Sequence, residues 1–600
     1  MKKRVADIIL SALVERGITD CFAVVGGGAM FLDNALLHNT DMTKYFNHHE
    51  QACAMAAEGY ARATGKMALV CVTSGPGGTN TLTGVMGAWV DSLPMIVVSG
   101  QVRYAVSVPA TGLKLRTRGV QEFNIVDTVK TMTKYSKLVI DPLDVKYEVN
   151  KAIDIALEGR RGPVWLDIPQ DVQSAWVEEE DLKEYSAPEE AVSAESAEVV
   201  EFIYDELKKA KRPVFLSGAG VLCSGSRDLF RGLLDKIKIP VVSSFNGSDV
   251  LYREHPLCMG PIGPCGQRPA NIAIQNSDLI ISLGCSLGFS TTGFSQENFA
   301  PEAKLIAVDI DDQEQKKPGL KYYRQINGDV VHILKGLSEA DDCYEAPEKW
   351  LEYCRMLKNR FSPFETAEGK GDKDRVCSYV FWREYFDMAP EDALLVLGNN
   401  SAITSALQVG NRFKDQHILT NYNCGSMGYD IPAALGVAVA TKREVVLATG
   451  DGSFMMNMQE LQTLYHHQLP VKILLFENAG YNAIRQTSKN FFNGELIGCS
   501  PETGVSFPDF GKVAETFGLP YIKCETNDSV SACLRELFSI EGPALMEVSQ
   551  LLDDPVSPKV MSRTDENGKM LSPALHDMFP FIPESEMNSL MKAAKESCND

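Results

Sequence analysis

Short runs of Val, Ile and Leu alternate with amphipathic stretches along most of the chain. Two clear runs occur in each third of the sequence, at 67–73, 95–99, 214–217, 279–283, 445–449 and 471–476. This rhythm is typical of βαβ units, in which parallel strands are covered by helices. The pattern therefore predicts an α/β fold made of three doubly wound parallel-sheet domains.

Two acidic stretches with little strand character divide the sequence, at 178–198 and 341–374. Both are predicted to be linkers, since charge runs and prolines interrupt regular elements. The predicted domains are accordingly 1–177, 199–340 and 375–550. The remaining segment, 551–600, lacks the strand rhythm and is punctuated by prolines, so we expect a C-terminal tail that lies over another surface.

The composition narrows the class of partner. With 58 Lys and Arg against 79 Asp and Glu, the net charge is −21, which repels nucleic-acid backbones and anionic membrane surfaces. No apolar segment of the sequence approaches the roughly 20 residues that a membrane span requires. The 15 cysteines include no C-x-x-C pair, so they are expected to be reduced core residues. We predict a cytoplasmic enzyme that binds neither nucleic acid nor membrane.

The strongest candidate for chemistry is the segment 444–453, where an apolar strand runs into Gly-Asp-Gly-Ser. The next strand, 471–476, ends in Glu-Asn-Ala-Gly. Because neighbouring parallel strands end at the same edge of a sheet, Asp451 and Asn478 are expected to converge. Magnesium prefers hard oxygen ligands and is usually shared with a diphosphate, so Asp451, Asn478 and the Gly480 carbonyl are predicted metal ligands. Two turns that bind nothing are the alternative interpretation.

The residues that follow the Gly-Asp-Gly motif predict the start of a helix. Asn457 and Glu460 have the spacing of a capping box, so the helix is expected to begin near Asn457. Leu461 and Leu464 supply its apolar stripe.

Gly450-Asp451-Gly452, followed after 24 residues by Glu477-Asn478, resembles the thiamine diphosphate fingerprint, whose last Asn is a metal ligand. Glu477 stands where that pattern usually has Asn, a departure that leaves the ligand position intact. The chain is similar to the acetolactate synthases over nearly its whole length. The matching stretches are 49–51, 56–65, 73–80, 91–94, 99–102 and 425–428.

The resemblance implies thiamine diphosphate and Mg²⁺ as cofactors. It assigns the cofactor's pyrimidine side to 1–177, a central domain to 199–340 and the diphosphate side to 375–550. It also implies that Met427 bends the cofactor and that the Gly425 carbonyl accepts a hydrogen bond from it, with ordinary core packing as the alternative for Met427. The cofactor-binding residues that it implies are Glu50, Gly425, Met427, Gly450, Asp451, Gly452, Ser453, Asn478, Gly480 and Tyr481.

Three residues are candidates for catalysis by resemblance, and a fourth, His49, is a candidate because a histidine can transfer protons. Glu50 would hydrogen-bond the aminopyrimidine ring and shuttle its proton, although a Glu at a helix start is also commonly a surface residue that complements the helix dipole. Gly27 lies in a Gly-rich loop that lets the backbone approach the reacting carbon. Gln121 matches a glutamine that faces the reaction centre, and a solvated loop residue is its alternative. His49 is a candidate for proton transfer, and polar packing is its alternative.

The resemblance also implies a flavin in the central domain, held partly by arginines. The matching stretch, 284–293, has serines where those arginines fall, so FAD binding and an empty structural domain both stay open. Arg485-Gln486-Thr487 stands where acetolactate synthases carry Arg-Gln-Trp, and the missing aromatic ring predicts a roomier acceptor pocket. Together with the tail, this is similar to proteins of surface-polysaccharide and deoxysugar pathways, so a nucleotide-linked ketosugar acceptor is an expectation.

The predicted function is that of a Mg²⁺- and thiamine-diphosphate-dependent carboligase. It decarboxylates a 2-keto acid, with pyruvate as the first candidate, and transfers the two-carbon unit to a 2-keto acid or a nucleotide-linked ketosugar. The alternatives are a 2-keto acid decarboxylase or carbon–carbon lyase, and a non-catalytic regulatory paralogue. Because the family builds each site between the pyrimidine-side domain of one subunit and the diphosphate-side domain of its neighbour, a homodimer or homotetramer is expected.

Overall fold

The computed structural model describes residues 1–187, 196–364, 374–399, 401–554, 556–564, 570–571 and 573–596. Parts of the predicted linkers and tail, including 188–195, 365–373 and Pro555, lie outside these residues. Within them the chain forms three six-stranded sheets, and the strands of each sheet pair in parallel. Helices connect and cover the strands, so the predicted α/β fold with three doubly wound domains is confirmed.

The first and third sheets share one topology. Numbered along each domain, their strands lie in the spatial order 2-1-3-4-6-5. In that order the first sheet contains Thr43–Phe46, Asp20–Ala23, Leu69–Val72, Met95–Gln101, Pro163–Pro169 and Tyr135–Leu138. The third contains His417–Thr420, Leu394–Leu397, Val445–Gly450, Val471–Glu477, Ala544–Ser549 and Tyr521–Cys524.

The central sheet has the different order 3-2-1-4-5-6. Its strands are Cys258–Pro261, Val241–Ser243, Pro213–Ser217, Leu279–Leu283, Lys304–Asp309 and Tyr322–Asn327. Two-stranded pairs complete the described strands: Lys2–Arg4 with Trp176–Glu178, Ile237–Lys238 with Tyr344–Glu345, Lys559–Val560 with Met578–Phe579, and Arg563–Thr564 with Met570–Leu571.

Uniformly apolar strands explain the layered architecture. Leu69–Val72, Met95–Gln101 and Val445–Gly450 are buried along their whole length. Because successive side chains point to opposite faces of a strand, such burial requires packing on both faces of the sheet.

The α-helices occupy the connections between these strands. In the first domain they are Val5–Glu15, Met30–His38, Glu50–Thr64, Pro76–Asn80, Leu82–Val90, Ile125–Val129, Val145–Leu157 and Gln170–Ser174. In and after the central domain they are Ser196–Lys209, Gly220–Cys223, Arg227–Leu233, Arg268–Gln275, Phe289–Thr292, Val330–Glu339 and Glu348–Arg360. In the third domain they are Ser378–Met388, Ser401–Val409, Asp430–Thr441, Asp451–Phe454, Leu461–His466, Asn482–Phe491, Phe510–Thr516 and Val530–Ser539.

The linker predicted at 341–374 is wrong for much of its length. It contains the helix Glu348–Arg360, whose Trp350 is fully buried in the core of the central domain. Trp350 Nε1 donates a hydrogen bond to the Pro213 carbonyl at 3.0 Å. The many charged residues on the other face of this helix concealed its apolar stripe in the sequence.

One hydrophobic cluster is shared between the first and third domains, beside a separate core in each. Helix Glu50–Thr64 crosses helix Asp430–Thr441 so closely that a Cβ at Gly436 would lie 1.9 Å from the Ala56 carbonyl oxygen. A Cβ at Gly59 would meet the main chain of the opposing helix in the same way. The apolar faces of both helices therefore join in one cluster that links the two sheets.

The first residues of the tail, Asp554 and Ser557, bond to the third domain, and from Leu575 onward the tail lies on the central domain. Leu575, Met587 and Leu590 are part of its hydrophobic core. The Arg268 guanidinium donates to the carbonyls of Met578 and Pro580, and helix Glu584–Glu596 ends the described chain. Among the described residues, no helix has both the length and the apolar character that crossing a membrane requires.

Candidate active site

The loop after the fourth strand of the third sheet folds around one carboxylate. Gly450 and Phe476 pair at the ends of neighbouring strands, which brings the segments that follow them together. Asp451 Oδ1 accepts from Gly452 N–H at 2.7 Å, and its Oδ2 accepts from Asn478 N–H at 3.1 Å and Gly480 N–H at 3.0 Å. We call residues 478–480 the metal loop, because they hold two of the three predicted metal ligands.

The electrostatics of Asp451 suit a cation. Burial raises its pKa to about 6, the three main-chain N–H groups oppose that rise, and the nearby Glu477 carboxylate adds to it. A carboxylate that is buried without a positive partner gains most from a bound cation. Within the described residues no three His, Cys, Asp or Glu side chains cluster as a metal site. A metal at Asp451 would therefore take its remaining ligands from amide, main-chain or cofactor oxygens, which is the hard donor set that Mg²⁺ prefers.

The predicted diphosphate-side residues pack around this loop. A Cβ at Gly452 would lie 2.1 Å from Cε1 of Tyr481 and 3.2 Å from Cε of Met427, so both side chains pack against that glycine. Tyr481 N–H donates to the Cys499 carbonyl at 3.0 Å, which holds the residue after the metal loop. Gly452, Tyr481 and Met427 thus share one face beside Asp451.

A second turn joins the same group. Gly425 adopts the left-handed φ of +57°, and its carbonyl accepts from Asn399 Nδ2. Gly428 N–H donates to the Ser453 hydroxyl at 2.9 Å, which ties this turn to the helix Asp451–Phe454. The structure thereby brings Gly425 and Ser453 into the same region as Asp451.

Glu50 lies at the corresponding edge of the first domain. It opens the helix Glu50–Thr64, and its Oε2 accepts from Asn80 Nδ2 at 2.9 Å. A Cβ at Gly77 would lie 3.7 Å from Glu50 Oε1, so the carboxylate faces the turn that starts helix Pro76–Asn80. Asn80 belongs to a matched stretch of the sequence, but only the fold shows that it orients Glu50.

The structure gives His49 a capping role. His49 is the N-cap of the helix that Glu50 opens, and its Nδ1 accepts from Gln51 N–H at 3.0 Å. This bond satisfies one of the free amides at the helix start. It is the kind of contact that the polar-packing alternative for His49 predicts.

Gly27 opens the 3-10 turn Gly27–Ala29 and Gln121 lies in a turn, both at the edge of the first sheet. Gly27 is exposed, and its carbonyl accepts from Gln170 Nε2 at 2.7 Å. Gln121 is exposed with a φ of +58°, and a Cβ at Gly75 would lie 2.4 Å from its carbonyl oxygen. Both residues belong to the Glu50 side of the candidate site.

The Glu50 group and the Asp451 group touch through their neighbours within one chain. Asn457 Nδ2 donates to Gln51 Oε1 at 3.0 Å. Glu460 accepts from Asn47 Nδ2 and from His48 N–H, both at 2.9 Å. These contacts join the first and third domains directly behind Glu50.

The predicted capping box at Asn457 and Glu460 is wrong, because both side chains bond across the boundary between the first and third domains. Asn457 makes no side-chain cap, and the residues after it form a 3-10 turn before helix Leu461–His466 begins. Both side chains are almost fully buried at the domain boundary. Buried polar groups need partners, and here the partners come from the other domain.

The flavin stretch offers little to a dinucleotide. Residues 284–293 include the short helix Phe289–Thr292 and carry no basic side chain. The stretch itself would offer a flavin diphosphate only neutral groups, and the Lys317 ammonium, which donates to the Ser286 carbonyl at 2.7 Å, is a cation beside it. These residues are compatible both with FAD and with an empty structural domain.

Comparison with known proteins places these features in a family. Three thiamine pyrophosphate enzyme domains match: the N-terminal TPP binding domain at 3–127, the central domain at 200–337 and the C-terminal TPP binding domain at 398–548. The chain is therefore a thiamine-pyrophosphate-dependent enzyme.

Curated relatives make the assignment more specific. The chain is 32% identical to the acetolactate synthase isozyme 2 large subunit of Escherichia coli, over 91% of this chain and 95% of that protein. It is 32% identical to a probable acetolactate synthase large subunit of Methanocaldococcus jannaschii, over 90% of this chain and 91% of that protein. Chloroplastic acetolactate synthase 2 of Nicotiana tabacum is 31% identical, over 93% of this chain and 83% of that protein. The chain belongs to the acetolactate-synthase-like family of these enzymes.

Proposed function

We propose that this protein is a Mg²⁺- and thiamine-diphosphate-dependent carboligase. It removes carbon dioxide from a 2-keto acid, with pyruvate as the first candidate, and joins the remaining two-carbon unit to an acceptor carbonyl. The observation that carries the proposal is the convergence of Asp451, Asn478 and Gly480 at the ends of two neighbouring strands. The relatives bear the names of enzymes that make acetolactate, which supports a ligase over a simple decarboxylase.

The metal and the diphosphate would be held by the third domain. Asp451, the Asn478 side-chain oxygen and the Gly480 carbonyl are the proposed Mg²⁺ ligands. Gly450, Gly452 and Ser453 would line the diphosphate, where small residues allow close approach to the main chain. Met427 and Tyr481 pack against Gly452, and Gly425 belongs to the turn that bonds to Ser453 through Gly428. All three would support the rest of the cofactor.

Glu50 would hold and move a proton at the pyrimidine side. Thiamine diphosphate supplies a carbon nucleophile and an electron sink when it is bound. The chain's part is to place a carboxyl at the aminopyrimidine, and Asn80 Nδ2 orients Glu50 for that task. Gln121 and Gly27, both exposed at the same edge, would face the reacting carbon. His49 would act through its capping of the Glu50 helix.

A second copy of the chain would complete the site. Large apolar side chains are exposed on the first domain, namely Val25, Met30, Phe46, Met86 and Trp89. Such a surface supports burial against another subunit. We propose a homodimer or homotetramer in which Glu50 of one chain faces the metal loop of the next.

The residues after the metal loop are compatible with two kinds of acceptor substrate. Thr487 stands where acetolactate synthases carry Trp, and it lies on helix Asn482–Phe491 directly after the metal loop. The smaller side chain leaves room for a nucleotide-linked ketosugar as well as for a second 2-keto acid.

Product analysis with carbon-labelled pyruvate tests the proposal. The purified chain, supplied with thiamine diphosphate and Mg²⁺, is expected to release labelled carbon dioxide and to add the label to a supplied 2-keto acid or nucleotide-linked ketosugar. Mass spectrometry of the product identifies the acceptor. Acetaldehyde as the sole product with every acceptor would establish a decarboxylase instead, and no carbon dioxide release would favour a non-catalytic paralogue.

A further inference from the structure

Four buried polar side chains form a line of hydrogen bonds behind the metal loop. Arg485, Asn478, Gln550 and Asp554 are between 1 and 7% exposed. Arg485 Nη2 donates to Asn478 Oδ1 at 3.2 Å, and Asn478 Nδ2 donates to Gln550 Oε1 at 3.0 Å. Gln550 Nε2 then donates to Asp554 Oδ2 at 2.9 Å. The line, which we call the amide relay, runs from a cation to an anion through two side-chain amides.

The two ends of the amide relay fix the direction of each bond in it. A guanidinium can only donate hydrogen bonds, and a carboxylate can only accept them. Asp554 Oδ2 also accepts from Ser378 N–H at 3.0 Å, which keeps that oxygen an acceptor. Gln550 must therefore turn its nitrogen towards Asp554 and its oxygen towards Asn478. Asn478 in turn gives its nitrogen to Gln550.

We propose that Gln550 and Asp554 are positioning residues that orient the Asn478 amide, so that its oxygen and not its nitrogen faces the divalent metal. This inference rests on the proposed function, because it requires a metal at the metal loop. The two ends of a side-chain amide have nearly the same size, so packing alone does not distinguish the two orientations. Hydrogen-bond polarity does, because a flipped Asn478 would turn an NH₂ group towards the cation.

Arg485 strengthens the same orientation from the other side. Its Nη2 also donates to the main-chain carbonyls of Asn478, at 2.8 Å, and Leu552, at 2.7 Å. A donor-only side chain next to Asn478 Oδ1 disfavours an NH₂ at that position. A carbonyl oxygen has two lone pairs, so the hydrogen bond from Arg485 to Asn478 Oδ1 is compatible with a metal bond to the same oxygen.

Gln550 and Asp554 gave no signal in the sequence, and Arg485 was noted there only as part of the stretch that matches Arg-Gln-Trp. Gln550 directly follows the strand Ala544–Ser549 of the third sheet, and Asp554 lies four residues further on. Arg485 is on the helix after the metal loop. Only the fold brings Arg485 and Gln550 next to the Asn478 amide. Partners that orient a metal ligand typically change metal affinity about 10–100-fold when they are removed.

The test measures Mn²⁺ binding, by the electron paramagnetic resonance of free Mn²⁺, to protein saturated with thiamine diphosphate. Gln550→Met removes the acceptor for Asn478 Nδ2 at similar size, and we expect Mn²⁺ affinity to fall about tenfold or more. Gln315→Met is the matched control. Gln315 is a buried glutamine of the central domain that donates to the Ala307 and Ile326 carbonyls, and its variant is expected to bind Mn²⁺ as the wild type does.

A double variant separates polarity from packing. Gln550→Glu combined with Asp554→Asn moves the carboxylate one position inward, so Asn478 Nδ2 keeps an acceptor, while the hydrogen bond between positions 550 and 554 reverses its direction. We expect its Mn²⁺ affinity to lie within about threefold of wild type, above that of Gln550→Met. A role in packing alone predicts the opposite order, because the methionine is the more conservative buried change. If Gln550→Met does not fold, Asp554→Leu replaces it in the comparison.

The outcomes distinguish this inference from the function on which it rests. Wild-type protein that binds no Mn²⁺ in the presence of thiamine diphosphate would overturn both. If the wild type binds Mn²⁺ normally, two results would overturn the inference alone. One is Gln550→Met binding Mn²⁺ as well as the wild type, and the other is the double variant binding as weakly as Gln550→Met.

Discussion

The first and third domains share a strand order but present different chemistry at the edges of their sheets. Both sheets are ordered 2-1-3-4-6-5. In the first, Glu50 follows the second strand and takes one hydrogen bond from the side chain of Asn80. In the third, Asp451 follows the third strand and accepts three hydrogen bonds from main-chain N–H groups.

Under the proposed function, this difference would let one scaffold support two tasks. Main-chain donors fix the Asp451 carboxylate, as a site for a cation requires. Glu50 is oriented by a side chain and stands at a helix start, where a carboxyl can exchange a proton with a ligand. The sheet determines where ligands approach, and the loops determine what happens there.

The largest effect on turnover is expected from a substitution of Glu50, the proposed proton carrier. Glu50→Gln keeps the shape and the contact with Asn80 but cannot exchange a proton, so turnover of pyruvate should fall about 10²–10⁴-fold. The Mn²⁺ affinity in the presence of thiamine diphosphate should stay within about threefold of wild type, since Asp451 and the metal loop are unchanged. Steady-state carbon dioxide release and Mn²⁺ titration measure the two quantities. Glu15→Gln, an exposed change in the same domain, is the control, and equal turnover of both variants would contradict the role of Glu50.

A substitution of Asp451, at the proposed metal site, should instead affect metal binding first. Asp451→Asn removes the charge that a cation needs, so Mn²⁺ affinity should fall on the order of 100-fold, with turnover recovering only at high metal concentration. Equilibrium dialysis of Mn²⁺ measures the change, and the exposed Asp528→Asn in the same domain serves as the control. Unchanged affinity in Asp451→Asn would remove the third domain from the metal site.

The sequence was sufficient for the features that depend on local pattern. Uniformly apolar strands predicted the parallel sheets, and the ends of two such strands predicted that Asp451 and Asn478 would converge, because neighbouring strands end at one edge. The order of the strands does not follow from periodicity. The likeness between the first and third sheets is therefore visible only in the fold.

Features that depend on partners distant in the chain were missed or mistaken. The Asn457–Glu460 spacing satisfies a local rule, yet both side chains bind residues of the first domain instead. Asn80 and Gln550 gave no local signal of their own, because their roles come from the carboxylate and the amide that the fold places beside them. Helix Glu348–Arg360 was hidden by its charged face, whereas its apolar side packs on the central domain.

A smaller effect is expected where the two domains touch. Gly436→Ala places a methyl group 1.9 Å from the Ala56 carbonyl oxygen, and both partners are main chain in packed helices. Relief requires the helices to separate, so the free energy of unfolding should fall by about 1–3 kcal/mol. Chemical denaturation measures it. Gly232→Ala, in a helix with open space around the glycine, should be neutral or stabilising, and similar loss in both variants would contradict a tight crossing.

The smallest effect concerns Asp167, a buried acid at the edge of the first sheet that contrasts with Asp451. Burial raises its pKa to about 7, opposed by hydrogen bonds from Ser99 Oγ at 2.6 Å and Gln101 Nε2 at 3.0 Å. The unfolded chain releases this proton near pH 4, so between about pH 4 and 7 the folded state binds more protons and its stability falls as pH rises.

Asp167→Asn removes that titration and should flatten the profile. The urea midpoint of the wild type minus that of the variant is expected to decrease from pH 5 to pH 8, whereas the exposed Asp181→Asn should leave a constant difference. Parallel profiles for wild type and Asp167→Asn would show that this carboxyl is already ionised in the folded protein. In that case Ser99 and Gln101 stabilise the charged Asp167 carboxylate as well as the main-chain amides stabilise that of Asp451. The two sheets would then differ in their chemistry only at Glu50 and Asp451.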